Sequence, residues 1–333
     1  MMAGTKVPAA GERVRSIDAF RGITMVMMIF ANHSGGDFYP YFTHARTIPG
    51  FTAVDLIEPM FFFAIALSFM LSFKSKEAKT STKDAVWAVI GRYLALVGLG
   101  FLISWNVGEE VPFGTALAWG TLQGIGLAGL VALPFVKAHR FVKIGGGLAI
   151  TAVFYLVFWR GAPTAVDYWG EKFVPQALAG IFPANDNMVG AIAKGGYLLL
   201  AIGVIESMRK SKKEFLLVAC GITALACATL FFPKVMPIGP SVMTPSYILV
   251  SLALCIWLYV IAQWLFDIKK LPCRPFLWWG RNSILMYVLS AAGGMELTFG
   301  SNVPVRFLSI LLYVLVMTAV LYYFDRKKWY LRL

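Results

Sequence analysis

The stretch TAVDLIEPMFFFAIALSFMLSF, residues 52–73, decides the fold. Beyond Glu58 it carries no charge until Lys74, and it holds five phenylalanines. As a helix it would be about 33 Å long, enough to cross the roughly 30 Å hydrocarbon core of a bilayer. Blocks of similar length and character recur at 17–34, 85–105, 116–135, 142–159, 187–207, 214–232, 244–266, 275–295 and 304–324. The first is the weakest, because Arg21 interrupts it. The pattern predicts an all-α, polytopic membrane protein of about ten transmembrane helices.

Composition points the same way. Of 333 residues, 59% are apolar and 14% charged, with a mean hydropathy of +0.71. A soluble domain carries about 25% charged residues. No polar stretch is long enough to house a separate soluble domain, so residues 1–333 are expected to form one integral membrane domain with a short cytoplasmic arm at 1–16. That arm lacks an apolar core, and no removable signal peptide is expected. No internal repeat and no low-complexity segment stands out.

The basic residues set the topology. Of 30 Lys and Arg, 21 fall in the N-terminal arm, the C-terminal tail or every second loop, such as Lys74, Lys76, Lys79 and Lys83, or Arg209, Lys210, Lys212 and Lys213. The opposite loops hold few, and Glu109 and Glu110 stand in one of them. Positive charge stays on the cytoplasmic side, so both termini are expected inside the cell membrane and the loops at 35–51 and 160–186 outside. The net charge of +13 is therefore a topology signal, and nucleic acid is not an expected partner. Cys220, Cys227, Cys255 and Cys273 lack metal or redox spacing. They are expected to be small buried residues, and no metal site is predicted.

Charges inside a span cost roughly 2.5–3.5 kcal/mol each, so their positions matter. Arg21, Arg92 and Arg281 each lie a short way into a helix entering from the cytoplasm. Together they would make an anion site suited to phosphate; separately, each would snorkel to the interface. Near the outer surface lie Asn32, His33, His44, Asp55 and Glu58. Asp55 and Glu58 are three apart, on one helix face. His44 follows a glycine pair (Gly35, Gly36) and the aromatics Phe38, Tyr39, Tyr41 and Phe42. Histidine exchanges protons near neutral pH, while aromatics at that level also suit an interfacial belt. Arg21, Met25, Met28 and Asn32 fall on one stripe of the first helix, about 16 Å from end to end. A thin ligand with an anionic head could lie along it, or the methionines could pack against another helix.

At these residues the sequence resembles the heparan-alpha-glucosaminide N-acetyltransferase family of transmembrane acyltransferases. The opening Arg13–Ile23, R-V-R-S-I-D-A-F-R-G-I, is similar to the family's R-x-x-S-x-D-x-F-R-G signature. Asn32 with Gly35 and Gly36, then His44-Ala45, Gly50 and Asp55-Leu56 with Pro59 follow in family order. Leu122-Gln123, Pro245-Ser246-Tyr247 and Gly280-Arg281-Asn282-Ser283-Ile284 resemble later family segments.

The resemblance implies an enzyme that takes an acetyl group from cytoplasmic acetyl-CoA and delivers it to a sugar on the far side. It implies about ten helices around the CoA path, commonly as a homodimer. By match of motif His44 would be the catalytic histidine and Asn32 its companion, with Asn282 beside Arg281 on the CoA side. The chain also departs from the family. It reads Arg46-Thr47-Ile48 where a tryptophan is usual, Glu58 where an aromatic is usual and Gly124 where an arginine often stands, and Gly239–Thr244 lacks the usual lysine. Most of these changes lie toward the acceptor side and leave the acceptor's identity open.

The residues agree with this chemistry. His44 could remove the acceptor's proton or take the acetyl group itself. Asn32 could stabilise the oxyanion, and Asp55 could hold the other imidazole nitrogen. Glu58 could receive an amino sugar's ammonium, with His33 beside it in the acceptor site. Arg21, Arg92 and Arg281 would receive CoA phosphates. Intramembrane charge and Gly/Pro interruptions also occur in transporters and flippases of small polar or anionic solutes, the second functional class the sequence allows.

Overall fold

The computed structural model describes residues 14–34, 43–45, 49–104, 120–158, 190–240, 243–293 and 303–330. Over these the protein is helical and has no strand. In chain order the helices are α1 (Arg15–Ser34), α2 (Ile57–Glu77, entered through a 3₁₀ turn Val54–Leu56), α3 (Thr82–Ser104) and α4 (Thr121–Ala132, extended by the 3₁₀ turn Leu133–Phe135). There follow α5 (Arg140–Phe158), α6 (Gly190–Lys210), α7 (Lys212–Leu230) and α8 (Pro245–Gln263, extended by a π-helical turn Trp264–Ile268). The last are α9 (Arg274–Arg281), α10 (Ser283–Gly293) and α11 (Val303–Lys327).

Each apolar block of the sequence coincides with a helical segment. Among the described residues six segments are long and apolar enough to cross a membrane: Val54–Glu77, Thr82–Ile103, Gly190–Lys210, Lys212–Leu230, Pro245–Ile268 and Val303–Lys327. The block at 275–295 is not one helix. It breaks at Asn282, whose backbone leaves the helical region (φ −115°, ψ 29°) while its carbonyl accepts from Met286 N–H at 3.0 Å to start α10.

Apolar side chains cover the outside as well as the inside. Phe231 is 80% exposed and Leu156 is 74% exposed, and α11 turns Leu308, Leu312, Leu315 and Val316 outward. Water would penalise patches of that size; lipid accepts them. The chain is a multi-pass membrane protein. The same solvent explains a correction: Cys220 and Cys227 stand exposed on α7, whereas Cys255 is buried, because hydropathy does not distinguish a lipid-facing position from an interior one.

The chain divides into two compact units. The middle unit (1–10, 48–50 and 65–253) is built on α6, which packs against α4, α5 and α7. Glycines let these backbones meet: a Cβ on Gly147 would lie 2.7 Å from the Gly196 carbonyl oxygen. Lys143, buried on α5, pairs with Glu206 of α6 at 2.8 Å, and Arg140 pairs with Glu214 of α7. Buried charges are tolerated when paired in this way.

The terminal unit (11–47, 51–64 and 254–333) gathers α1, α9, α10 and α11. Asp267, in the π-helical turn, accepts from Ser16 N–H at 3.0 Å, putting an anion at the N-terminus of α1 where orphan donors and the helix dipole favour one. Phe20, Phe63 and Tyr259 form an aromatic trio with centroids 5.8–5.9 Å apart. The tightest crossing is between α1 and α9. A Cβ on Gly22 would sit 2.0 Å from the Phe276 carbonyl oxygen, and one on Gly280 would sit 1.8 Å from that of Asp18. Neither clash can be relieved by a side-chain rotation. Gly22→Ala and Gly280→Ala should each force the helices apart, at about 1–3 kcal/mol or more, and lower the Tm in detergent. Gly91→Ala, with nothing within 4 Å of its Cβ, should leave the Tm unchanged or raise it.

Candidate functional site

His44 and Asp55 meet in the terminal unit. The 3₁₀ turn Val54–Leu56 carries Asp55, whose carboxylate meets residues 43–45. Asp55 is buried, and its Oδ1 lies 2.8 Å from His44 Nδ1. Its Oδ2 accepts from Thr52 N–H at 2.8 Å, from Ala45 N–H at 3.3 Å and from the Thr52 hydroxyl at 3.1 Å. The Thr52 hydroxyl lies 2.7 Å from the Thr43 carbonyl as well, so residues 43–45 and 52–55 are laced around one carboxylate.

This arrangement fixes the imidazole's proton. A carboxylate can only accept, so Nδ1 carries the hydrogen and a neutral ring keeps its lone pair on Nε2. The His44 side chain is 78% exposed. The result is an anchored imidazole with its basic nitrogen turned away from its anchor, a geometry suited to proton abstraction or nucleophilic attack.

The other outer candidates surround this pair in sequence. Asn32 is exposed near the end of α1, His33 is buried beside it, and Glu58 is half-buried one turn after Asp55. Gly35, Gly36, the aromatics at 38–42 and Arg46–Ile48 lie outside the described residues, as does the whole of the 160–186 loop.

At the opposite end of α1 the charges form a cluster. The Arg281 guanidinium lies 2.7 Å from Asp325 and 3.5 Å from Asp18, and the Tyr330 hydroxyl donates to Asp325 at 2.9 Å. Asp18 lies three residues before Arg21 in the opening motif, whereas Asp325 is hidden in the sequence among Arg326, Lys327 and Lys328, which read as a topology signal. Arg21 is half-buried one turn along α1. Arg92 belongs to α3 in the middle unit, and its Nε is buried with no hydrogen-bond partner among the described residues. Asn282, at the α9–α10 break, is fully buried, and both atoms of its side-chain amide lack a partner among the described residues.

The α1 stripe is packed. Met25 and Met28 lie buried in a cluster with Ile29, Val54, Ile57, Trp279, Met286, Ile310, Tyr313 and Leu321. Of its two readings, helix packing is the one that the burial of Met25 and Met28 supports.

These features define a multi-pass helical membrane protein with a carboxylate-anchored imidazole. Residues 13–169 match the family model described as heparan-alpha-glucosaminide N-acetyltransferase, catalytic. Two relatives named heparan-alpha-glucosaminide N-acetyltransferase are similar. The one from Mus musculus is 28% identical over 176 residues, covering 53% of this chain and 24% of the relative. The one from Homo sapiens is 35% identical over 99 residues, covering 29% and 15%. The alignments thus span about a quarter or less of those proteins' lengths. His44, Asp55, Asn32 and Arg21 lie inside the matched segment; Arg281 and Asn282 lie beyond it.

Asp55→Asn tests the anchor directly. The amide offers one accepting oxygen where the carboxylate offers two, so His44 and the Thr52–Ala45 donors compete for it. Histidine ¹⁵N spectra of wild-type protein near pH 8 should show the Nδ1-protonated form of His44, and those of Asp55→Asn a mixture of tautomers. Unchanged spectra would remove Asp55 as the anchor.

Proposed function

We propose that the protein is a transmembrane acyltransferase that moves an acetyl group from cytoplasmic acetyl-CoA to an amino or hydroxyl group of a sugar or glycan at the outer side of the membrane. The observation that carries this reading is the His44–Asp55 pair at 2.8 Å within the segment that matches the acetyltransferase family. Ten spans with both termini inside the cell membrane, as the basic residues require, would put that pair at the outer surface and the Arg281 cluster at the inner one. Assembly as a homodimer belongs to the same reading.

In the direct route, the acceptor's nitrogen or oxygen attacks the acetyl carbonyl carbon while His44 Nε2 takes its proton. The C–S bond then breaks, and the imidazolium returns the proton to the departing thiolate. In the two-step route Nε2 attacks the acetyl carbonyl carbon and the C–S bond breaks, releasing CoA as its thiolate; the acceptor then attacks the acetyl-imidazolium, the C–N bond to His44 breaks, and the acceptor's proton passes to the freed Nε2. Asp55 serves both routes by holding Nδ1–H and stabilising the positive ring. Asn32, exposed at the end of α1, is assigned to the oxyanion.

On the donor side Arg21 and Arg281, both in the terminal unit, are assigned to the phosphates. Arg281 has five N–H donors, more than Asp18 and Asp325 use, so it can hold an anion while paired. The buried amide of Asn282, without a partner among the described residues, suits the amide-rich arm of CoA. Glu58 and His33 are assigned to the acceptor, Glu58 to an ammonium.

Purified protein incubated with radiolabelled acetyl-CoA, with and without glucosamine, other amino sugars and glycans, tests the reading. Label passing to a sugar supports it, and label retained on the protein without acceptor indicates the two-step route. No label on either, together with no binding of acetyl-CoA, would contradict it in favour of a transporter. His44→Ala should lose about 10²–10⁴-fold in turnover while inserting and folding normally. Arg21→Ala should raise KM for acetyl-CoA several-fold and leave KM for the acceptor unchanged; an unchanged donor KM would return Arg21 to an interfacial role.

A further inference from the structure

A second pair of polar groups in the terminal unit gives the acceptor assignment of His33 a more definite form. His33 and Tyr313 stack with ring centroids 5.4 Å apart and planes inclined by 28°. His33 is 6% exposed and Tyr313 is 5% exposed. His33 Nδ1 lies 2.9 Å from the Ile29 carbonyl oxygen of its own helix. That oxygen can only accept, so Nδ1 carries the hydrogen and Nε2 of the neutral ring is a bare acceptor. Nε2 and the Tyr313 hydroxyl are both buried without a hydrogen-bond partner among the described residues. Native interiors seldom leave such groups unmet, and here an acceptor and a donor stand orphaned on two stacked rings.

Their position ties them to the site. His33 follows Asn32 at the end of α1. Tyr313 packs in the same buried cluster as Val54 and Ile57, which flank Asp55 and Leu56 in the chain. The same cluster holds Ile29, the residue whose carbonyl His33 meets, and Ile310, one turn before Tyr313.

We infer that His33 and Tyr313 together form a subsite that binds a hydroxyl group of the acyl acceptor, and that Tyr313 is a specificity-determining residue. This rests on the acyltransferase reading. A hydroxyl is the simplest group that can donate to Nε2 and accept from a phenol at the same time. A phosphate or sulfate would offer nothing to the lone pair on Nε2, and an ammonium nothing to the phenol's hydrogen. The subsite thus selects a polyhydroxylated acceptor by its hydroxyl pattern, separately from any ammonium held by Glu58.

Tyr313→Phe and His33→Phe each keep an aromatic ring and delete one orphaned atom, so both variants should fold, with Tm equal to or above wild type. Each should raise KM for a sugar acceptor about tenfold, the worth of one buried hydrogen bond, leaving KM for acetyl-CoA unchanged. An unchanged acceptor KM in both variants would overturn the subsite. If the wild-type protein transfers no acetyl group, the acyltransferase reading fails, and binding decides the subsite alone. Glucosamine and N-acetylglucosamine are then titrated into ¹⁵N-histidine-labelled protein, with the His33 signal assigned by its absence from His33→Phe. A shift of the His33 Nε2 resonance that Tyr313→Phe weakens supports the subsite. A resonance unmoved by either sugar overturns it and leaves a buried water as the partner of these atoms.

Discussion

A carboxylate buried at the mouth of an apolar helix has to be compensated, and at Asp55 the compensation organises the surrounding chain. Four donors converge on its two oxygens: the His44 imidazole, two backbone N–H groups and the Thr52 hydroxyl. Removing one donor leaves the charge partly unmet in a poorly solvated place, so the contacts reinforce one another. The segment after α1 is held against the start of α2, the imidazole is fixed in one tautomer, and its basic nitrogen is left exposed. A binding or catalytic nitrogen on a connecting segment is usually less well fixed than one on a helix; here the buried anion supplies the rigidity that the local backbone lacks.

At the other end of α1 the constraint is steric. Gly22 and Gly280 let α1 and α9 approach until backbone touches backbone, and that crossing carries Asp18 toward Arg281. Asp325 completes the cluster from α11. Since α1 is unbroken from Arg15 to Ser34, it is a rigid rod joining the arginine cluster to the neighbourhood of Asn32, His33 and Asp55. The glycines of the Arg13–Ile23 and Gly280–Ile284 motifs therefore have a packing role alongside whatever ligand their charged neighbours hold.

Hydrophobic length is a local property, and over the described residues the apolar blocks accordingly fall on helix, six segments being long and apolar enough to span. The break at Asn282 was hidden because the residues on both sides are apolar enough to read as one span. His44 and Asp55 stood out by chemistry, being titratable groups in costly places, and their contact needed only a return of the chain over eleven residues. Asp325 and Tyr313 did not stand out. One is screened by the basic tail beside it and the other by the apolar run of α11, and both gain meaning only from partners more than forty residues away or on another helix. Met25 and Met28 show the limit of periodicity: a stripe facing a neighbour and a stripe facing a ligand have the same spacing, and only packing separates them.

The account stands or falls on where the acetyl group is delivered. A structure of the protein in lipid with a non-reactive acetyl-CoA analogue would measure it. The account predicts the acyl carbon within about 3–4 Å of His44 Nε2, as a near-attack geometry requires, with the Nδ1–Asp55 contact intact and the phosphates on the side of Arg281. An analogue whose acyl end remains among the arginines, or a His44 ring turned into lipid away from Asp55, would contradict it.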